Sequence, residues 1–211
     1  MSNPDIPQNN VMRYFALTFS IICVAAIGTS LFTEHWVEIE VVNPTGYNFN
    51  LHRGLMQWVC ISQKDISDRN CVAKYPLFPG WLKSVFICMC VAFGTSIVLV
   101  VAQLVSLIIR KHRMYFSIMC TLLAFITFIL LTIAIGIFGG EAKALYFETY
   151  IYKSLTVYCQ LGWSYWISIM AIIIAVLVTS LETVQIFLNS NIGYPSSALP
   201  PEAVASWKYT L

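Results

Sequence analysis

Four separate stretches of this chain are long and apolar enough to cross a lipid bilayer, and no other feature constrains the fold as strongly. They run from about Tyr14 to Phe32, Ser84 to Ile109, Met114 to Phe138 and Tyr165 to Leu188. A crossing takes roughly 20 apolar residues. Inside lipid the backbone must satisfy its own hydrogen bonds, so each stretch is predicted to be a helix. The chain is 58% hydrophobic and only 10% charged, against about 25% charged in soluble domains. That supply cannot cover a water-facing surface, which excludes an ordinary soluble enzyme, and the apolar content excludes disorder. The first stretch could be a signal peptide, since Ala25, Ala26, Gly28 and Ser30 make a small-residue exit. Its apolar run, however, exceeds the usual ~7–15 residues. The expected fold class is all-α membrane: a left-handed four-helix transmembrane bundle in a single domain spanning 1–211.

Cation placement sets the expected orientation. Arg110-Lys111-His112-Arg113 links helices two and three, and Arg13 precedes helix one. Both are assigned to the cytoplasm, with both termini and the tail 189–211. Loops 33–81 and 139–162 then face outward. Trp81, Trp163, Tyr165 and Trp166 mark the outer interface, where amphipathic rings favour the headgroup zone. The short second link makes helices two and three antiparallel neighbours. Small residues at Ala171, Ala175 and Thr179, at Ala92 and Ser96, and at Ala26 and Ser30 mark close helix approaches, chiefly within the bundle.

The first outer loop reads as a folded unit. Val37, Ile39 and Val41 alternate with Glu38 and Glu40, the period-two pattern of a half-buried strand. Asn43-Pro44-Thr45-Gly46 is a turn, and Tyr47, Phe49 and Leu51 alternate with Asn48, Asn50 and His52 as a second strand. Leu55–Ile61 and Cys71–Tyr75 are further candidates, which together predict a small extracellular antiparallel sheet. Cys23, Cys88, Cys90 and Cys120 fall within helices as apolar fillers. Cys60 and Cys71 are the pair in the long outer loop, an oxidising compartment, and a bridge between them would staple neighbouring strands. Cys159 is left over, with burial at the top of helix four as its simplest role. His35 and His52 have no Cys-x-x-Cys companion, so no zinc motif is present and no metal or cofactor is expected.

Trp36, Gly54-Leu55, Trp58, Cys60 and Cys71, followed by Gly-Trp-Ser-Tyr-Trp at 162–166, resemble the claudin and peripheral myelin protein superfamily. Calcium-channel γ subunits and glutamate-receptor regulatory proteins share the pattern. The family sequence is Gly-Leu-Trp, two residues, then Cys; here Met56 fills the Trp slot and one extra residue precedes Cys60. Cysteines for acylation at the cytoplasmic helix ends are also absent, which points to a divergent, invertebrate-type claudin-like member. The resemblance implies that Trp36, Gly54, Leu55 and Trp58 anchor the sheet on the bundle and that Cys60–Cys71 locks it.

Candidate contact and site residues are few. Glu182 is the one acid within the four apolar stretches, and an intramembrane carboxylate is a functional candidate by default. Its place toward the cytoplasmic end predicts snorkelling or pairing with Arg110 or Arg113, and Gln103 is expected to bond a neighbouring helix. Glu38 and Glu40 could favour cations, and Tyr146, Phe147 and Tyr150 could contact a protein partner. Tyr209-Thr210-Leu211 could add as a strand to a PDZ-type scaffold. No catalytic constellation or phosphate-binding loop is visible, so no enzyme is expected, and no basic run suggests nucleic acid. The expected setting is the lipid bilayer of the plasma membrane, at cell junctions. The resemblance implies adhesion, a paracellular barrier or selective permeability, through homo-oligomers or contacts with other claudin-like proteins. The alternative is an auxiliary subunit of an ion channel or receptor.

Overall fold

The computed structural model describes residues 7–42, 48–55, 58–63, 70–73, 80–109, 113–146, 151–152 and 155–192. Four helices form where the apolar runs lie: α1 (Pro7–Phe32), α2 (Gly80–Ile108), α3 (Arg113–Tyr146) and α4 (Trp163–Ile192). Within them Val11–Phe32, Gly80–Ile108, Met114–Ala142 and Trp163–Leu188 are long and apolar enough to span a membrane. α1 packs against α2 and α4, and α3 against the same two, which makes a four-cornered bundle. The expected small-residue contacts lie inside it: Ala171, Ala92 and Ser30 are fully buried, and Ala175 and Ser96 nearly so. Isoleucines, leucines and valines such as Ile87, Val98, Ile126 and Leu177 stand on the outside. That is the distribution of a bundle solvated by hydrocarbon rather than water.

The helices outrun the apolar stretches that reveal them, because a helix does not stop at the membrane edge. The largest difference is at α3, which continues past Phe138 through a Gly139-Gly140 pair to Tyr146. Two glycines suggest a stop, yet here Phe138 and Ala142 are buried on the continuing helix. A Cβ on Gly139 would lie 2.7 Å from the Tyr165 hydroxyl, so this glycine admits a close neighbour rather than ending the helix.

At one end of the bundle stands a six-stranded antiparallel sheet. The first loop supplies β1 (Val37–Val42), β2 (Asn48–Arg53), β3 (Trp58–Gln63) and β4 (Asn70–Ala73), while β5 (Ile151–Tyr152) and β6 (Leu155–Leu161) follow α3. Their order is β4-β3-β2-β1-β6-β5. The second loop thus completes the sheet foreseen from the first, with β1 in its interior between β2 and β6. Val37 is buried whereas Glu40 on the opposite parity is exposed, as the alternation requires. The turn expected at 43–46 lies outside the described residues. One apolar core runs through both layers, joining Trp36, Val37 and Leu55 to Leu31, Leu82, Phe138 and Ala142.

The opposite end of the bundle is polar inside. Arg13 from α1, Gln103 from α2, Ser117 from α3, and Glu182 and Gln185 from α4 are all at most 5% exposed. Gln103 Nε2 donates to Glu182 Oε1 at 2.7 Å, and Arg13 acts electrostatically on that carboxylate. The expectation that Glu182 snorkels to the edge is corrected: it is buried, points inward and meets Gln103 of α2; the side chains of Arg110 and Arg113, its expected partners, lie outside the described residues. Arg13, expected just before the first helix, is inside α1 and buried for the same reason. Desolvating a charge is expensive unless it is compensated; the contact of the Glu182 carboxylate is the Gln103 amide, with the Arg13 charge acting on it as well.

Candidate functional site on the sheet

The sheet is fixed to the bundle where α1 leaves and α4 begins. Trp36, fully buried, donates its indole N–H to the Ser30 carbonyl at 2.7 Å. Its ring meets Phe138 at 4.8 Å and Tyr165 at 6.2 Å, both edge-on. The Trp36 backbone N–H donates to the Arg53 carbonyl at 3.1 Å, which draws the end of β2 against the connector. Leu55, 2% exposed, joins the same core. Gly54 sits where that connector passes: a Cβ there would lie 2.7 Å from the Thr33 carbonyl oxygen and 2.8 Å from Glu34 Cα. Both are backbone atoms that cannot swing aside, so the position demands room. Trp36, Gly54 and Leu55 are therefore brought together, while the Trp58 backbone lies in β3.

Gly-Trp-Ser-Tyr-Trp has an equally local cause. The first N–H groups of a helix have no partner within it, and the Ser164 N–H donates instead to the His35 carbonyl at 3.1 Å. The Gly162 N–H donates to the Trp36 carbonyl at 2.9 Å, and a Cβ at Gly162 would overlap the His35 carbonyl. The Ser164 and Thr33 hydroxyls are 2.7 Å apart, and the Ser30 hydroxyl bonds Ser168. Trp163 stacks on the His35 ring at 5.3 Å, and Trp166 is exposed.

On the far side of the sheet is a recess of about 310 Å³ lined by Glu38, Ile39, Glu40, His52, Tyr158, Cys159 and Gln160. Register explains the assembly: Glu38 lies opposite His52 on β2 and Gln160 on β6, and Glu40 opposite Asn50 and Tyr158. Gln160 Nε2 donates to Glu38 Oε2 at 3.3 Å. Glu38 Oε1 is 3.4 Å from His35 Nδ1, and the His35 and His52 rings are 4.4 Å apart between centroids. Cys159, opposite Ile39 in β6 rather than in α4, is half-buried, and that burial pushes its thiol up from 9.0. The same row continues across β3 and β4, where His52 faces Cys60 and Cys60 faces Cys71.

Glu38 and Glu40 are thus on one recess, separate from the anchoring residues. Tyr146 ends α3; Phe147, Tyr150 and the 209–211 terminus lie outside the described residues. His35, His52, Tyr158 and Gln160 escape a reading of motifs because their meeting depends on strand register. A turn at 43–46 would set Glu38 opposite Leu51; the register found, Val42 with Asn48, is one residue from that and brings Glu38 to His52.

A four-helix bundle with a membrane-length apolar run in every helix, carrying a sheet built from both connecting loops on one end, has a match among known families. Residues 6–186 match the family described as "Tight junction protein, Claudin-like". The chain belongs to that family. A comparison with curated proteins found no match. The claudin-like match covers the first three spans, the whole sheet and the fourth span as far as residue 186, so the resemblance carried by Trp36, Gly54, Leu55 and the 162–166 segment extends to the fold.

Proposed function

We propose that this claudin-like chain acts structurally at contacts between neighbouring cells, with the sheet outside the cell and both termini in the cytoplasm. The observation that supports this most is the sheet itself. Two loops from opposite sides of the bundle merge into one rigid platform, with Glu38, Glu40, His52, Tyr158 and Gln160 on its free face. Rigid elements present a contact surface without the ordering cost of a flexible loop. The basic 110–113 link at the other end supports the orientation. Glu38 and Glu40 would favour cations in any aqueous gap they line. Expression in a polarised epithelial monolayer tests the reading. Enrichment at cell–cell borders, with a measurable change in transepithelial resistance, is expected. Diffuse surface label with co-purification of one channel or receptor would replace it with the auxiliary-subunit role.

We infer also that Cys60 and Cys71 are bonded. They are direct register partners in β3 and β4, and such partners lie about 4.5–5.5 Å apart between Cα atoms, inside the range disulfides span. Peptide mapping without reductant should recover them joined; two alkylated thiols would remove the staple.

A further inference from the structure

We propose that His35, Glu38 and His52 form a binding site for one divalent transition-metal ion of the Zn2+ class. This goes beyond the junctional reading and does not rest on it. One His Nδ1 or Nε2 atom from each imidazole and one Glu38 oxygen lie within 4.8 Å of one another. Zinc bonds of ~2.0–2.2 Å in a tetrahedron put ligand atoms about 3.3–3.5 Å apart, and His35 Nδ1 and Glu38 Oε1 are already at 3.4 Å. Small rotamer adjustments close the remaining distance. Two imidazoles and a carboxylate suit zinc, copper(II) or nickel, whereas calcium and magnesium require all-oxygen cages.

The surroundings are those of a supported site. Trp163 stacks on the His35 ring and restricts its orientation. Gln160 holds the second Glu38 oxygen at 3.3 Å, leaving Oε1 toward the imidazoles. Outer partners of this kind commonly govern metal affinity. All three ligand residues are half-buried, so an ion can reach them and is still shielded on one side. The ligands come from the α1–β1 connector, β1 and β2, so the ion would tie the bundle exit to the centre of the sheet. Three protein ligands leave a fourth position for water or a group from a facing molecule. A bound ion would also reverse the local charge beside Glu40.

The test uses the full chain in nanodiscs of zwitterionic lipid, stripped with chelator and titrated with ZnCl2. Equilibrium dialysis should find one zinc per chain, undiminished by excess Ca2+. His35→Ala and His52→Ala should each weaken binding by more than the about 10–100-fold that loss of an outer partner costs. A variant-free measurement covers the case in which these substitutions disturb folding. The chain has three histidines, His35, His52 and His112. Zinc should protect His35 and His52 from diethylpyrocarbonate, read by mass spectrometry, and leave His112 labelled as before. Absence of saturable binding, binding retained in the His35→Ala/His52→Ala double variant, or equal protection of all three histidines would overturn the proposal.

Discussion

Replacing Gly54 by alanine tests the junction between bundle and sheet most directly. The added methyl would meet the Thr33 carbonyl oxygen at 2.7 Å and Glu34 Cα at 2.8 Å, well inside the about 3.5–4.0 Å of ordinary carbon contacts. Neither neighbour is a side chain that can rotate away, so the connector or β2 must move. Overpacking of this kind costs about 1–3 kcal/mol. Movement also strains the Trp36 N–H bond to the Arg53 carbonyl, 3.1 Å long and one residue from the glycine, worth about 0.5–1.5 kcal/mol. The expected loss is therefore about 1.5–4.5 kcal/mol, or roughly 3–18 °C in melting temperature for a chain of this size. Thermal unfolding can be followed with a thiol-reactive dye, since Cys23 and Cys120 are at most 4% exposed and become accessible on melting. Gly136→Ala is the control: nothing lies within 4 Å of its Cβ position, and alanine in a helix gains about 0.5–1 kcal/mol over glycine. If Gly54→Ala melts with or above Gly136→Ala, the close approach of backbone to Gly54 is wrong.

Three further outcomes are expected. Trp36→Phe keeps an aromatic ring beside Phe138 but loses the 2.7 Å indole bond to the Ser30 carbonyl; it should cost about 1–2 kcal/mol and Trp36→Ala about 3–5 kcal/mol, a ranking read from the same melts. Gln103→Leu should destabilise by about 1–2 kcal/mol. Glu182→Leu should cost more, because it deprives the buried Arg13 of the carboxylate acting on it; combining it with Arg13→Leu should recover part of the loss, and a purely additive double variant contradicts the coupling. The Cys159 thiol, raised by burial, carries less thiolate at pH 8 than a solvated cysteine. Iodoacetamide should therefore modify it more slowly in the folded protein than after denaturation, and faster as the pH rises; equal rates in both states would contradict its placement.

What the sequence shows by itself depends on how local its cause is. The four spans are legible because the bilayer imposes length and apolarity on each one separately. β1 is legible because Val37, Glu38, Ile39 and Glu40 record the two faces of a strand in their order. β6 carries the same alternation, Leu155, Val157, Cys159 and Leu161 against Thr156, Tyr158 and Gln160, but nothing in that order says that it pairs with β1; β5, two residues long, carries no pattern. Gly139-Gly140 misleads for a related reason, since the Tyr165 hydroxyl that explains Gly139 comes from a helix 26 positions away in sequence. Glu182 is visible as an anomaly, but its partner is set by which helices face each other across the bundle. Gly54 marks a motif without explaining it; the explanation is the backbone of Thr33 and Glu34.

The position of β1 decides how the recess can respond to change. It is hydrogen-bonded on one edge to the first-loop hairpin and on the other to β6, so Glu38 and Glu40 belong to both loops at once. Register puts Glu40 between Asn50 and the exposed Tyr158, and Glu38 between His52 and Gln160. The charge offered at the free face is therefore a property of three strands rather than of one acidic segment. Gln160 is the sharpest case, because its amide lies in the second loop while the carboxylate it orients lies in the first. A substitution there leaves every first-loop residue in place and still frees the Glu38 carboxylate to turn. Treating the two loops as independent units would separate residues that the sheet holds on one face.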